Sequence, residues 1–213
     1  VFRGQGGIWN SLKPEELASF SAFLKNPDIV SQWYRHRQEI ITETKPNAGH
    51  TAIAEMEKYF KNFTVVTQNI DNLHKRAGST KVLELHGNIE RNYCIDCNKF
   101  FYNPEIPDKS KALKCSCGGL IRPDVVWFGE MLPQDVYDDA VSVARKCDIC
   151  FIAGTTASVF PAAYIPIIAK ENGALIVEVN IEPSEATSYA HHFFKGRAGE
   201  IFPLILELIK TCV

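Results

Sequence analysis

Val82-Leu-Glu-Leu-His86-Gly87 is one of four short apolar runs in this 213-residue chain that end in small or polar residues. The other three are Thr64-Val-Val-Thr-Gln-Asn69, Ile149-Cys-Phe-Ile-Ala-Gly154 and Leu175-Ile-Val-Glu-Val-Asn180. Short runs of this composition are typical of buried strands. Other segments space apolar residues three and four apart, as helices do, in Val136, Ala140, Val141 and Ala144 and in Ile201, Leu204, Ile205 and Leu208. Strands that alternate with helices predict an α/β fold with a doubly wound parallel sheet.

The polar residues at the ends of these strands predict a functional site. Ligands bind doubly wound sheets at the carboxyl ends of the strands. There the chain places Gln68-Asn69-Ile70-Asp71, His86-Gly87, Gly154-Thr155-Thr156 and Asn180-Ile181-Glu182. Taken singly, each group also fits an ordinary strand end closed by an Asx turn or a tight turn, and a lone histidine is often structural.

Four cysteines follow His86 at a spacing typical of a zinc ribbon. Cys94 and Cys97 form a C-x2-C pair, Cys115 and Cys117 form a C-x-C pair, and 17 residues separate the two pairs. Four thiolates fill a tetrahedral shell and leave no position for water. The pattern therefore predicts one structural Zn²⁺ in a small domain at residues 88–122, with catalysis elsewhere.

Residues 14–46 interrupt the sheet pattern and are predicted to form a helical insertion. Asn26 is expected to be an N-cap, with Pro27 at the first helical position. Within this segment Tyr34 and Arg37 stand three apart and therefore share one helical face. A guanidinium binds a carboxylate through two parallel hydrogen bonds, so the pair would suit a ligand that ends in an acid. An ordinary solvated helix face would carry the same residues.

Composition excludes some classes of partner. Charged residues make up 23% of the chain and the net charge is −2, without the basic excess of a nucleic-acid-binding protein. Residues 149–169 form an uncharged stretch of 21 residues, but Gly154, Thr155-Thr156, Pro161 and Pro166 break it into shorter elements. We therefore expect no membrane partner. Seven cysteines, four of them at metal spacing, favour a reducing compartment, so we expect a cytoplasmic protein. We also expect a monomer.

In the order of its motifs the chain resembles the sirtuins, which are zinc-containing NAD-dependent protein lysine deacylases. The resemblance spans nearly the whole chain through Phe2-Arg3-Gly4, Thr67-Gln68-Asn69-Ile70-Asp71-Asn72-Leu73-His74, Leu85-His86-Gly87, the four cysteines, Arg122-Pro123-Asp124-Val125-Val126-Trp127-Phe128-Gly129-Glu130, Gly154-Thr155-Thr156 and Val179-Asn180. The Tyr34-x-x-Arg37 spacing resembles the class III branch, which prefers acidic acyl groups such as succinyl, malonyl and glutaryl.

The resemblance implies a Rossmann-like NAD-binding domain at residues 1–87 and 123–213 and a zinc-binding domain at residues 88–122. NAD would be the cosubstrate and an acylated lysine of a protein the partner. The products would be free lysine, nicotinamide and O-acyl-ADP-ribose. Acetyl groups would be removed more weakly than succinyl or malonyl groups.

The resemblance also implies a role for individual residues. His86 would be the general base that deprotonates a ribose hydroxyl, assisted by Asn69 in the catalytic site. The cofactor would be bound by Phe2, Arg3, Gln68, Asn69, Ile70, Asp71, Gly154, Thr155, Thr156, Asn180, Ile181, Glu182 and Ala198. The acylated peptide would be bound by Tyr34, Arg37, Val126, Trp127, Phe128, Gly129 and Glu130.

One family feature is absent from the sequence, and two other functions remain open. In sirtuins a first strand and a Gly-rich phosphate loop precede the position of Val1, and we expect a truncation rather than a true loss, because a sheet without that strand would expose an edge. The alternatives are an NAD-consuming mono-ADP-ribosyltransferase or hydrolase, and a noncatalytic reader of ADP-ribose or acyl-lysine. An intact His86, Asn69 and Asp71 argue against the reader.

Overall fold

The computed structural model describes residues 17–102 and 104–212. Phe2 and Arg3, predicted to bind the cofactor, lie outside the described residues. The helices are α1 (Phe20–Lys25), α2 (Pro27–Glu43), α3 (Ala48–Met56), α4 (Leu73–Arg76), α5 (Gln134–Ala144), α6 (Tyr164–Glu171) and α7 (Ala198–Cys212), with 3₁₀ turns at Glu57–Tyr59 and Glu185–Ser188. The strands are β1 (Val65–Thr67), β2 (Val82–Glu84), β3 (Gly87–Cys94), β4 (Phe100–Tyr102), β5 (Ile121–Val125), β6 (Ile149–Ala153), β7 (Leu175–Asn180) and β8 (His192–Lys195).

The chain divides into two compact units, each with its own core. One contains the described residues up to Thr44 together with Asn69–Asn72 and His86–Met131, and is called here the cysteine unit. The other contains Lys45–Gln68, Leu73–Leu85 and the residues from Leu132 onward, and is called here the parallel unit. The sequence-based boundaries of the zinc domain at residues 88–122 stay a prediction.

The parallel unit confirms the predicted α/β fold. All four apolar runs form strands: β1 pairs with β2, and β6, β7 and β8 pair in that order, every pairing being parallel. Strand β8 was not expected from the sequence, because it is only four residues long and exposes three of them. The core of this unit includes Ile152, Ile165 and Ile176, together with Ala140 and Ala144 from the apolar residues of α5 that the sequence singled out.

The apolar face predicted for the C-terminal helix is rotated in the structure. Helix α7 buries Phe202 and Leu206 and packs Ile201, Ile205 and Ile209 at their flanks. Leu204 and Leu208, which the spacing had placed in the core, are exposed. Apolar residues cover so much of this helix that periodicity alone does not select the buried side. Contact with Val179 of β7 and Met56 of α3 in the same core selects it.

In the cysteine unit, α1 and α2 pack beside an antiparallel sheet of order β4-β3-β5. Helix α2 begins at Pro27 with Asn26 at the N-cap, as predicted, although the Asn26 side chain makes no capping hydrogen bond. The core of this unit is rich in aromatic residues and includes Phe23, Trp33, Tyr34 and Trp127. Among the described residues, no helix has the length and apolar character that crossing a membrane requires.

Candidate functional site

His86 immediately precedes strand β3, and the backbone conformation of the next residue requires glycine. Gly87 has φ +79°, and a Cβ at this position would lie 2.2 Å from the carbonyl oxygen of Asp124 in β5. The Val126 N–H donates to the His86 carbonyl oxygen at 3.0 Å. The close approach of β3 to β5 therefore fixes the backbone of His86 beside the segment Val126–Glu130, while its imidazole stays half-buried.

The loop Asn69–Asn72 is held against the same strand. The Ile89 N–H donates to the Ile70 carbonyl oxygen at 2.9 Å. Asn72 has φ +60°, and its side-chain amide donates to the Glu90 carboxylate at 2.6 Å. Backbone and side-chain bonds to β3 thus fix both ends of the segment that carries Asn69 and Asp71, the two polar residues predicted to act near His86.

Tyr34 connects helix α2 to the segment predicted to bind substrate. Its side chain is 4% exposed, and its hydroxyl oxygen accepts a hydrogen bond from the Trp127 indole N–H at 2.6 Å. Burial raises the pKa of Tyr34 to about 12, although the bond from Trp127 and the nearby Arg37 act in the opposite direction. The phenol therefore stays neutral near pH 7 and keeps its own O–H available as a donor.

Arg37 is half-buried near Tyr34, as the spacing predicted. Its guanidinium carbon lies 4.5 Å from the centre of the Trp33 ring, a cation–π arrangement. Desolvation lowers the pKa of Arg37, and the nearby Tyr34 acts in the opposite direction. The acidic ligand expected from the Tyr34-x-x-Arg37 spacing stays a prediction.

The turn Trp127–Glu130 is built on a buried ion pair. Arg122 is 1% exposed and donates to both carboxylate oxygens of Glu130, at 2.5 and 3.0 Å, and to the Val125 carbonyl at 2.8 Å. Its guanidinium carbon lies 3.2 Å from the centre of the Trp127 ring. Glu130 also accepts the Trp127 N–H at 2.8 Å. Glu130 therefore shapes this segment, whereas contact of its carboxylate with substrate stays a prediction.

We expect Glu130→Gln to lower the free energy of unfolding by about 3 kcal/mol, because it leaves the Arg122 charge buried without its counter-ion. Urea unfolding followed by circular dichroism measures the change. Glu182→Gln is the matched control, since it removes an exposed ion pair with Lys195 and should cost at most about 0.5 kcal/mol. Equal changes in the two variants would contradict a structural role for the Arg122–Glu130 pair.

The four cysteines converge as a tetrahedral metal site requires. Their sulfur atoms all lie within 4.8 Å of one another, with Cys94 and Cys117 at 3.5 Å and Cys97 and Cys115 at 3.7 Å. Zinc–sulfur bonds of about 2.3 Å give a tetrahedron whose edges are about 3.8 Å. These two sulfur–sulfur distances are close to that edge, so the donor set fits a structural Zn²⁺.

Two tight turns bring the sulfurs together. The Asn98 N–H donates to the Cys94 carbonyl at 3.0 Å, and the Gly118 N–H donates to the Cys115 carbonyl at 2.9 Å. Asn98 and Gly118 have φ values of +56° and +94°. A Cβ at Gly119 would lie 2.7 Å from the Cys94 sulfur, so only glycine fits there.

Protonation of the cluster also indicates a cation. Hydrogen bonds to its sulfur, first from the backbone N–H of Cys117, lower the pKa of Cys115 to about 6. The pKa of Cys117 is raised to about 12, because the thiols of Cys94, Cys97 and Cys115 outweigh the lowering effect of the Gly119 N–H. Neighbouring sulfurs cannot all lose their protons unless a positive ion balances them, and Zn²⁺ supplies that charge.

The parallel unit contains Gln68, Gly154–Thr156, Asn180–Glu182 and Ala198 of the predicted cofactor-binding residues, and two of these groups are in contact. At the carboxyl ends of its strands, the Gly154 N–H donates to the Val179 carbonyl at 3.1 Å. The Asn180 side-chain amide donates to the Thr155 carbonyl at 2.8 Å. Gly154 has φ +61° with open space where a Cβ would stand. The structure therefore joins Gly154–Thr156 with Asn180 at one edge of the sheet, as predicted.

The groups at this edge of the sheet include the hydroxyls of Thr155 and Thr156. The Thr155 hydroxyl accepts the Ala157 N–H at 3.2 Å, and the Thr156 hydroxyl lies 2.7 Å from that of Ser158. Ile181 and Glu182 follow Asn180 in an exposed turn. Ala198 begins α7, and a Cβ on Gly49 of α3 would lie 2.8 Å from its carbonyl oxygen. Gln68 follows Thr67, the last residue of β1.

Sequence reasoning assigned no role to Arg122 and Glu178. Arg122 supports Trp127, as described above. Glu178 is fully buried within β7 and accepts the Thr187 hydroxyl at 2.6 Å, which ties the segment after Asn180 to the sheet. A signal existed for both, because a charged residue inside an apolar strand is rarely buried without a partner. The sequence did not indicate which residues pair with Arg122 and Glu178.

Comparison with known proteins gives concordant matches. Residues 1–161 match the family model described as Sir2 family. The NAD-dependent protein deacylase 2 of Pyrobaculum aerophilum is 49% identical over 210 residues, which cover 99% of this chain and 84% of the relative. The NAD-dependent protein deacylase of Aquifex aeolicus is 46% identical over 215 residues, covering 99% and 88%.

Solved structures agree with these relatives. A Sir2 homologue in complex with NAD has a TM-score of 0.93 and 41% identity, covering all of this chain and 83% of that one. Sir2Tm bound to a propionylated peptide has a TM-score of 0.85 and 30% identity, covering 92% and 85%.

Proposed function

The chain belongs to the Sir2 family, and from that premise we propose that it is an NAD-dependent deacylase of protein lysines. Bound NAD would supply the ADP-ribose that takes the acyl group, and with one water consumed the products would be free lysine, nicotinamide and O-acyl-ADP-ribose. The observation that carries this proposal is the match of nearly the whole chain to relatives named NAD-dependent protein deacylases. The four-cysteine cluster would hold a structural zinc and take no part in the reaction.

The residues of the cysteine unit support specific roles. His86 is half-buried and immediately precedes β3, and we assign it the role of general base that takes the proton of a ribose hydroxyl, a role that a neutral imidazole nitrogen can serve. Asn69 and Asp71, in the loop bonded to β3, would orient the ribose and the nicotinamide carboxamide. Val126 to Gly129 would receive the peptide as an added strand, with the Phe128 side chain 63% exposed beside it.

The parallel unit would bind the remainder of the cosubstrate. Gly154, Thr155 and Thr156 lie in the loop between β6 and α6, where the two threonine hydroxyls and the backbone N–H groups of Thr155 and Thr156 would donate to phosphate. Asn180, Ile181 and Glu182 would accept the adenosine ribose, and Ala198 would lie by the adenine. Gln68 and Ile70, beside Asn69, would complete the cofactor contacts.

We further propose a preference for acyl groups that end in a carboxylate. The support is the pair Tyr34 and Arg37 on one face of α2, where a neutral phenol and a half-buried guanidinium combine a donor with a cation. Neutral acyl groups would still be accepted, since they fit the same space without using Arg37. A cytoplasmic monomer without nucleic-acid or membrane partners stays a prediction from composition.

The decisive experiment measures deacylation by mass spectrometry on one lysine peptide that carries either acetyl or succinyl, with and without NAD. We expect removal of both groups to require NAD and succinyl removal to be faster. Nicotinamide release without peptide would indicate a hydrolase, and binding without any release would indicate a noncatalytic reader. Faster acetyl removal would keep the deacylase and reject the acidic preference.

Arg37→Met is expected to lower kcat/KM for the succinyl peptide roughly tenfold to a hundredfold, the effect of losing about 1.5–3 kcal/mol of charge-assisted hydrogen bonding. For the acetyl peptide kcat/KM should change less than threefold, about the limit of a small packing effect. Arg145→Met, which removes an exposed arginine at the end of α5, is the matched control. Equal losses on both peptides would reject Arg37 as the carboxylate partner.

A further inference from the structure

One face of helix α2 holds a segment that leads into the second cysteine pair. Asp28, Gln32, Arg35 and Glu39 lie four, three and four residues apart and therefore share that face. All four contact the segment Asp108–Ala112, called here the latch segment. It lies three residues before Cys115.

Arg35 makes the buried contacts of this group. It is 9% exposed and donates to the carbonyl oxygens of Lys109, at 2.5 Å, and Lys111. The other contacts are more exposed. The Gln32 amide donates to the Ser110 carbonyl at 3.0 Å, and the Lys109–Glu39 ion pair is open to solvent on both sides. Asp28, whose side chain is 41% exposed, accepts the Ala112 N–H at 2.8 Å and pairs with Lys111 at 3.1 Å. Hydrogen bonds from a buried cation contribute far more than an exposed ion pair. Arg35 is therefore the main attachment of the latch segment.

Apolar packing does not replace these bonds. A cavity of about 220 Å³ separates α2 from the residues beside the latch segment, and Ser31, Arg35, Ile106, Leu113 and Pro123 are among its lining residues. The Ser31 hydroxyl is buried and has no hydrogen-bond partner. Since a cavity of this size removes van der Waals contacts, the contact of α2 with the latch segment depends on the polar bonds, whereas Val30, Trp33 and Tyr34 hold the helix in the aromatic core of this unit.

The far end of the latch segment is anchored at the cysteine cluster. Leu113 follows it directly and packs with Cys94, Cys115 and Ile121. The Ile121 N–H donates to the Leu113 carbonyl at 2.9 Å. The latch segment is thus a short link between the metal-binding turns and α2.

The residue next to Arg35 is Tyr34, whose hydroxyl meets Trp127. We propose that Arg35 is a positioning residue for the acylated peptide: by holding α2 to the latch segment, it fixes where Tyr34 and Arg37 lie relative to Trp127. This inference rests on the deacylase function proposed above. Arg35 itself touches neither substrate nor cosubstrate.

The test is Arg35→Met in the full chain, with steady-state kinetics on the better of the acetyl and succinyl peptides. We expect KM for the peptide to rise about tenfold, while KM for NAD stays within twofold and zinc content is unchanged. The fluorescence of Trp33 and Trp127 gives a measure of peptide binding that does not depend on the kinetics. Titration with the peptide in the absence of NAD should therefore show the same weakening. Arg35→Lys, which keeps one donor, should recover part of the affinity.

Glu39→Gln serves as the matched control, because it removes only the exposed contact to Lys109 and should leave both KM values unchanged. In addition, Tyr34→Phe should weaken peptide binding less in the Arg35→Met background than in the wild type, since Arg35 acts through Tyr34. Unchanged peptide KM in an active Arg35→Met enzyme, or equal increases in the KM of peptide and NAD in Arg35→Met and Arg35→Lys, would overturn the inference. An inactive wild-type enzyme would instead contradict the deacylase function.

Discussion

Replacing His86 with alanine is expected to lower kcat for acyl removal about 10²- to 10⁴-fold, the usual contribution of a positioned general base. The loss follows because no other group would take the proton of the ribose hydroxyl. The fold should persist, since the imidazole is half-buried and the backbone contacts of His86 do not depend on its side chain. The free energy of unfolding should change by about 1 kcal/mol or less.

Separating the two halves of the reaction sharpens this prediction. In the proposed reaction the acyl oxygen displaces nicotinamide from the ribose, and a ribose hydroxyl that His86 deprotonates then attacks the acyl carbon. Exchange of labelled nicotinamide into NAD should therefore fall much less than formation of deacylated peptide. Parallel assays of exchange and product formation measure both. Retained product formation, or an equal loss of both rates, would contradict the role of His86 as general base.

Gly87→Ala is an informative companion, because it alters the neighbouring residue without removing the imidazole. Its Cβ would lie 2.2 Å from the Asp124 carbonyl oxygen at φ +79°, so β3 and β5 would have to separate. We expect this variant to lose stability and activity together. His86→Ala should lose activity alone.

Replacing Cys94 with serine is expected to release the zinc and unfold the metal-binding turns. Structural zinc binding supplies about 10–16 kcal/mol in small zinc-binding peptides, which exceeds the stability of most domains. Cys94 has no solvent exposure, and its sulfur lies 3.5 Å from that of Cys117, so a hydroxyl in its place removes one ligand of the tetrahedron. Zinc content should fall from one per chain toward zero, and the melting temperature should decrease.

Cys212→Ser is the matched control, because Cys212 is an exposed thiol at the end of α7. It should keep full zinc content and the wild-type melting temperature. Metal analysis by mass spectrometry and thermal unfolding followed by circular dichroism make both measurements. Full zinc content in Cys94→Ser would remove Cys94 from the ligand set.

Sequence reasoning worked where a local pattern has one structural solution. Runs such as Ile149–Ala153 are short and apolar and form strands as expected, and their ends placed Gly154 and Asn180 at the same edge. It failed for α7, where apolar residues surround the helix and only contact with β7 and α3 chooses Phe202 and Leu206 over Leu204 and Leu208.

The sequence by itself determined the family, the four cysteines of the metal cluster and every strand of the parallel unit except β8, because each depends on short local patterns and their order along the chain. Tertiary structure alone decided which distant groups meet. It placed the Tyr34 hydroxyl on Trp127, paired buried Arg122 with Glu130, and joined Arg35 to the latch segment. The first and third of these contacts join residues that are far apart in the chain, and the second depends on the course of a turn. The packing of the whole unit brings all these groups together. Periodicity carries no information about them.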